Sequence, residues 1–154
     1  MKKQLVVALD LDDTLIPNRD RFLVESNRGK WYIRPFTPEP FRRGTLELLK
    51  FCKEKNFKLW VYTASLRPVW YIRLLFLRYG YHLDGVVNVQ KHFLKVKVSS
   101  HKYPPQFGID VLVDNSKGVV LEGQQLGYDV IYVNEQDTRW VEKVKKELEE
   151  RMLV

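Results

Sequence analysis

A chain of 154 residues is long enough for one domain burying about two thirds or more of its unfolded surface, and no second domain is expected. With 45% apolar residues and no apolar run near the roughly 18 residues of a membrane span, no membrane partner is expected. The net charge of +7 favours anionic partners (phosphorylated substrates, nucleic acid, acidic protein surfaces), while the single Cys52 excludes an internal disulfide and agrees with a reducing compartment.

Met1-Lys2-Lys3-Gln4 carries the charge of a signal peptide, but the apolar run behind it breaks at Asp10 without a small-residue cleavage site, so a cytoplasmic location is expected. That run, Leu5-Val6-Val7-Ala8-Leu9, ends in Asp10-Leu11-Asp12-Asp13-Thr14 and reads as a buried strand delivering carboxylates to a sheet edge. In extended chain, side chains two apart share a face, so Asp10 and Asp12 are presented together and Asp13 points elsewhere. Like charges that close are tolerated when a cation sits between them, or when one carries a proton for acid–base work. The plain alternative is a strand running into an acidic turn.

After Pro17 and Asn18, two β-prone runs, 21–25 and 30–34, flank Ser26-Asn27-Arg28-Gly29, which predicts a hairpin over about 17–36. From Asn18 to Arg43 the basic residues Arg19, Arg21, Arg28, Lys30, Arg34, Arg42 and Arg43 outnumber Asp20, Glu25 and Glu39. Such a hairpin attracts polyanions; equally, charge on exposed edges protects them against pairing. Phe41, Thr45, Leu48, Leu49 and Cys52 recur at helical spacing up to about Lys55. A second strand, Phe57 to Tyr62, ends in Thr63-Ala64-Ser65. Ser65 is placed to cap a helix with Pro68 in its first turn and Val69, Ile72, Leu75, Phe76 and Tyr79 on its buried face.

A short third strand runs from about Leu83 to Val89, and residues 90–108 are basic and irregular. Ile109 to Asn115 forms a fourth strand. A helix over about 117–126, a fifth strand over 128–133 and a closing amphipathic helix from Thr138 complete the chain. Alternating strands and helices imply an α/β fold with a parallel sheet of about five strands and helices on both faces. The carboxyl ends of its strands then bring Asp10, Asp12, Thr63, Asp114 and Asn115 together.

The pattern Asp10-x-Asp12-x-Thr14-Leu15 resembles motif one of the haloacid dehalogenase superfamily, most of whose members are Asp-based phosphatases. Thr63-Ala64-Ser65 and Asp114-Asn115-Ser116 are similar to its motifs two and four, as those stand in the small RNA-polymerase C-terminal-domain phosphatases. The resemblance covers about residues 5–133. It implies a Rossmann-like three-layer sandwich in a single domain, residues 1–154, with the hairpin as a flap over the site. Only about 20 residues are available there, too few for a cap domain. Carried over residue by residue, it implies a magnesium-dependent phosphomonoester hydrolase, expected to act as a monomer. Asp10 would be the nucleophile, forming an aspartyl phosphate, and Asp12 the general acid and base. Thr63 and Ala64 would bind the phosphoryl oxygens. Mg2+ would take the Asp10 carboxylate, the Asp12 carbonyl and Asn115, with Asp114 behind them. The motif-three lysine is assigned to Lys102, about a dozen residues before Asp114, with Lys95 and Lys97 as alternatives. His82, His92 and His101 lie at no metal-ligand spacing and read as surface or core.

The open site suits a large or polyanionic substrate, a nucleic-acid end or a phosphoprotein. A small metabolite or nucleotide is the alternative within the same chemistry. From another class, a phospho-accepting signalling module uses the same residue types but places its acceptor Asp after the third strand, where none stands here. A non-catalytic nucleic-acid or protein binder is expected to have lost Asp10 or Asp12, and both are present.

Overall fold

The computed structural model describes residues 4–19 and 21–153; Met1-Lys2-Lys3, Asp20 and Val154 lie outside the described residues. Five parallel strands form one sheet: β1 (Val6–Leu9), β2 (Lys58–Tyr62), β3 (Gly85–Val87), β4 (Val111–Asp114) and β5 (Asp129–Tyr132), in the order β3-β2-β1-β4-β5. They are interleaved with α1 (Thr45–Glu54), α2 (Val69–Leu77), α3 (Val89–Lys95) and α4 (Lys117–Leu126), and α5 (Trp140–Met152) closes the chain.

The central strands are apolar along their length because both sheet faces are covered. Val7 and Leu9 of β1 point into one core with Val61, Val113, Leu48 and Leu49 of α1, Ile72, Leu75 and Phe76 of α2, and Val144 and Leu148 of α5. Ala8 points the other way, to Tyr62, Leu112 and Val119 of α4. Strand order therefore reverses between β1 and β4, with α1 and α2 on one face and α4 on the other. Such a switch point splays two adjacent strand ends and leaves a crevice beyond them. Leu9 pairs with both Val61 and Val113, so Asp10 emerges at the centre of that crevice. Cys52 is buried in the first core, which pushes its thiol up to about 12.

The expected hairpin does not form. Residues 23–25 pair instead with 41–43, through Glu25 N–H to the Phe41 carbonyl (2.7 Å), Arg43 N–H to the Leu23 carbonyl (2.8 Å) and a Val24–Arg42 antiparallel bridge. Residues 30–37 coil into successive tight turns ending in a 3-10 turn over Arg34–Phe36. Pro35 fixes its own φ and has no N–H, so a ladder strand over 30–34 is cut short. Glu25 gains a task from this route: its carboxylate accepts from the N–H groups of Gly44 (2.9 Å) and Leu46 (3.2 Å), filling the start of α1 where no side-chain cap stands.

The illegible stretch 90–108 holds α3, capped by the Asn88 side chain accepting from Lys91 N–H (3.0 Å), and a 3-10 turn over Pro104–Phe107. Val89 thus opens a helix rather than closing a strand. Ser65 does not cap α2, which starts after Pro68 without a side-chain cap.

Candidate active site

The turn that follows β1 is wound tightly enough to hold three functional groups at one point. Leu15 and Ile16 N–H both reach the Leu11 carbonyl (2.9 Å each), and Asp13 takes a left-handed φ of 60°. Thr14 is thereby brought back onto Asp10, its hydroxyl donating to Asp10 Oδ2 at 2.8 Å. The same hydroxyl lies 3.2 Å from Asn115 Oδ1, across the gap between β1 and β4. Asn115 Nδ2 donates to Glu135 (3.1 Å), which leaves its carbonyl oxygen facing Thr14.

Lys102 reaches the same point from the loop after α3. Its ammonium donates to Asp10 Oδ1 (2.7 Å) and Asp114 Oδ2 (2.6 Å), and all three side chains are buried. Asp114 Oδ1 accepts from Ser116 N–H at 2.9 Å, at the N-cap of α4. Lys95 and Lys97 are exposed. Two carboxylates around one ammonium leave an excess negative charge in a buried place. Burial pushes the Asp10 carboxyl up to about 6; the Lys102 charge opposes that shift and the Asp114 charge adds to it. Burial pulls the other way on Lys102, but the two carboxylates outweigh it and hold its pKa above the ordinary value.

A phenol holds the lysine loop. Tyr62, at the end of β2, accepts from Tyr103 N–H (2.9 Å), the residue after Lys102, and lies 2.5 Å from His92 Nδ1. His92 Nε2 is 3.0 Å from the Ser100 carbonyl, so a proton on Nε2 leaves Nδ1 to accept from Tyr62. His92 is therefore a core residue with a positioning task. His101, by contrast, lies in the wall of the cleft and pairs with Glu122.

Asp12 is placed apart from this cluster. Arg67 grips it bidentately, Nη1 to Oδ2 at 3.1 Å and Nη2 to Oδ1 at 2.9 Å. Through Nε (2.9 Å) and Nη2 (2.7 Å), the same guanidinium holds Glu39, which also accepts from the Tyr71 hydroxyl (2.8 Å). Burial alone pulls the Arg67 pKa down, but the bonds to Glu39 and Asp12 raise it; on Glu39, burial raises and Arg67 with Tyr71 lower the pKa to a net decrease. Sequence reasoning missed Arg67, Glu39 and Tyr71. An arginine four residues after Thr63 was the available signal, but its partners come from a distant loop.

A cleft of about 420 Å³ joins these groups, lined by Asp10, Asp12, Ala64, Lys102, Asp114 and Asn115 together with His101, Ser116 and Gly118. Thr63 is not in its lining. It is fully buried, its hydroxyl accepting from Ser65 N–H (3.1 Å) and lying 3.0 Å from Ser65 Oγ, so it shapes the turn that presents Ala64. The start of α4, with Ser116 and Gly118, faces the cleft and favours an anion there. Among the described residues, no group of three or more His, Cys, Asp or Glu side chains forms a metal cage. Asp10 Oδ2 and Asn115 Oδ1 both approach the Thr14 hydroxyl, at 2.8 and 3.2 Å, and a carboxylate and an amide oxygen are donors of the kind that suit a small hard cation.

Comparison with solved structures finds this fold in a haloacid dehalogenase-like family hydrolase from Xanthomonas campestris, with a TM-score of 0.55 and 12% identity over 99% of this chain and 99% of that one. What is shared at that identity is the fold. A chain in the structure of the Pnkp1/Rnl/Hen1 RNA repair complex aligns at a TM-score of 0.51 and 16% identity, over 85% of this chain and 42% of its own length. A second structure of the Pnkp1/Rnl/Hen1 complex gives a TM-score of 0.51 and 17% identity, over 86% and 46%. The present chain thus spans less than half of those two. No family model matches the sequence, and no curated protein matches it. No helix among the described residues is long and apolar enough to cross a membrane.

Proposed function

We propose that the protein is a magnesium-dependent phosphomonoester hydrolase with Asp10 as nucleophile. The observation that supports this most is the environment of Asp10. It is a buried carboxylate at the fold's switch point, with Lys102 on one oxygen and Thr14 on the other, facing a cleft large enough for a phosphoryl group and its leaving group.

In the first step an Asp10 oxygen attacks phosphorus, forming an acyl phosphate as the bond to the leaving oxygen breaks. In the second, water attacks phosphorus, releasing inorganic phosphate and restoring the carboxylate. The attack sets anion on anion, and Lys102 supplies fixed positive charge beside both. Asp10 Oδ, the Asp12 carbonyl and Asn115 Oδ1 are the groups that would hold Mg2+, which when bound neutralises phosphoryl charge. The Ala64 turn binds phosphoryl oxygens, with Thr63 holding it from behind. Asp12 delivers a proton to the leaving oxygen and takes one from water. Its grip by Arg67 suits the second task, since a carboxylate accepts both guanidinium bonds; proton delivery requires a protonated carboxyl that has let go of one of them. Arg67 is therefore a positioning residue for Asp12.

A phospho-accepting role is less well supported: β3 ends at Val87, and the next residue, Asn88, is spent capping α3. The test is phosphate release from a generic aryl phosphate. Turnover should require magnesium, stop with chelator and be lost in Asp10→Asn; equal turnover in chelator removes the metal-dependent reading.

A further inference from the structure

Beyond the cleft, four basic residues of the 17–44 connection divide into two sets. Arg21 is neutralised by Glu135 (3.0 Å) and Asp13 (3.8 Å). Arg42 is buried, its Nη2 spent on the carbonyls of Asn134, Glu135 and Asp137 and its guanidinium lying over Phe22 and Trp140. Both are structural. Arg28 and Arg34, however, have no ion-pair partner among the described residues, and with Arg78, Thr37 and Pro38 they line a depression of about 220 Å³. Arg78 is buried at its floor, its guanidinium spent on the Thr37 (2.6 Å) and Glu39 (2.5 Å) carbonyls, so the two exposed guanidiniums of Arg28 and Arg34 are the charges open to an anion there.

The same turn displays aromatic rings. Trp31 is 74% exposed, Phe36 66% and Tyr32 53%, and the Trp31 and Tyr32 rings meet edge to face at 5.6 Å. Their exposure does not come from slack chain. Lys30 N–H donates to the Arg78 carbonyl (2.8 Å), and Ile33, Arg34, Phe36 and Thr37 are each tied to the preceding turn. Gly29, at φ +77°, passes so close that a Cβ there would lie 2.6 Å from the Arg78 oxygen. The rings and charges thus stand on a backbone fixed to the end of α2. A chain of hydrogen bonds links this surface to the cleft. Arg78 donates to the Glu39 carbonyl (2.5 Å), and the Glu39 carboxylate is held by the same Arg67 that grips Asp12.

We infer that the Arg28–Arg34–Arg78 depression and the Trp31–Phe36 face form a docking track for single-stranded nucleic acid, holding an internal phosphate and stacked bases while the terminal phosphate lies in the cleft. As a statement about substrate, this rests on the phosphohydrolase reading above. The choice follows from chemistry. A ligand that satisfies two separated anion sites with apolar planar rings beside them repeats phosphate and base, and a phosphopeptide carrying one phosphate leaves the arginine hollow unfilled. Base stacking on exposed rings needs bases released from a duplex, which selects a single strand.

The test reads binding and turnover separately. Fluorescence anisotropy with a hydroxyl-ended single strand of about ten nucleotides needs no catalysis. The Trp31→Ala/Phe36→Ala variant should weaken that binding by about tenfold or more. Arg28→Ala/Arg34→Ala should reduce the log–log salt slope by about 1.4, two phosphate contacts at roughly 0.7 each. Both variants change exposed side chains and should keep wild-type aryl phosphate turnover, while raising KM for the same strand bearing a terminal phosphate. Wild-type binding by both variants, equal binding of a duplex unaffected by Trp31→Ala/Phe36→Ala, or a phosphopeptide turned over better than the phosphorylated strand would each overturn the inference. Strand binding with no turnover of any phosphate ester removes the hydrolase reading and leaves the docking track standing. Turnover of aryl phosphate without strand binding removes the track alone.

Discussion

Two clusters of one cation between two carboxylates flank the cleft, and they differ in burial. Lys102 lies between Asp10 and Asp114 with its side chain 4% exposed; Arg67 lies between Asp12 and Glu39 at 17%, with Asp12 itself at 34%. The same stoichiometry means different things in the two places. In the buried cluster the extra negative charge cannot be screened by water, so it must be met by a proton, by a cation or by a changed carboxyl pKa. In the half-exposed cluster water shares the load, and partners can exchange at low cost. A nucleophile that must stay fixed belongs in the first, and a proton carrier that must let go belongs in the second.

The sharpest break of this comparison is Asp10→Asn, which keeps shape and removes the nucleophile. Turnover of an aryl phosphate should fall on the order of 10³-fold or more while the urea midpoint is kept or raised. Next is Lys102→Met. Leaving two buried carboxylates unpaired should cost roughly 3–5 kcal/mol in urea unfolding, and adding Asp114→Asn should restore part of it; an unchanged midpoint would show that the buried cluster is not charged as drawn.

Arg67→Ala should separate the clusters in the other direction. Its stability cost should stay within about 1 kcal/mol, since the pair is partly exposed. The kcat for aryl phosphate should drop by about tenfold as Asp12 loses its orientation, with KM little changed. A pH dependence measured in chelator reads the buried cluster alone. Asp10 titrates near 6 in the folded chain against 3.8 unfolded, so between those values the folded state binds more protons. Wild-type stability relative to Asp10→Asn should therefore decline as pH rises from about 4 to 6 and level off above. A rise over that window would mean that Lys102 lowers the Asp10 pKa more than burial raises it.

Much of this was legible in the sequence because it is carried by local pattern. Apolar runs ending in Asp10, Thr63 and Asp114 mark strands and their functional ends, and a parallel sheet then brings those ends together without further information. What was hidden depends on pairings across the chain. Residues 21–34 have hairpin composition, yet 23–25 found a better partner in 41–43, beyond the reach of turn chemistry. Lys102 could not be separated from Lys95 and Lys97 by spacing, since its burial depends on α3 and the Pro104–Phe107 turn folding its loop inward. The Arg67–Glu39 pair spans 28 residues and has no motif of its own.

The phenol of Tyr62 gives an independent handle on the cleft's cation. Lys102 arrives on a loop with no strand neighbour, and the adjoining amide of Tyr103 is pinned by that one oxygen. Tyr62→Phe would keep the ring in its packed place against Phe107 while removing the pin. The lysine would then sample its position rather than occupy it. Sheet, nucleophile and docking surface would stay as they are, and the rate could be tuned by the drift of a single ammonium, a dial set well away from the reacting atoms.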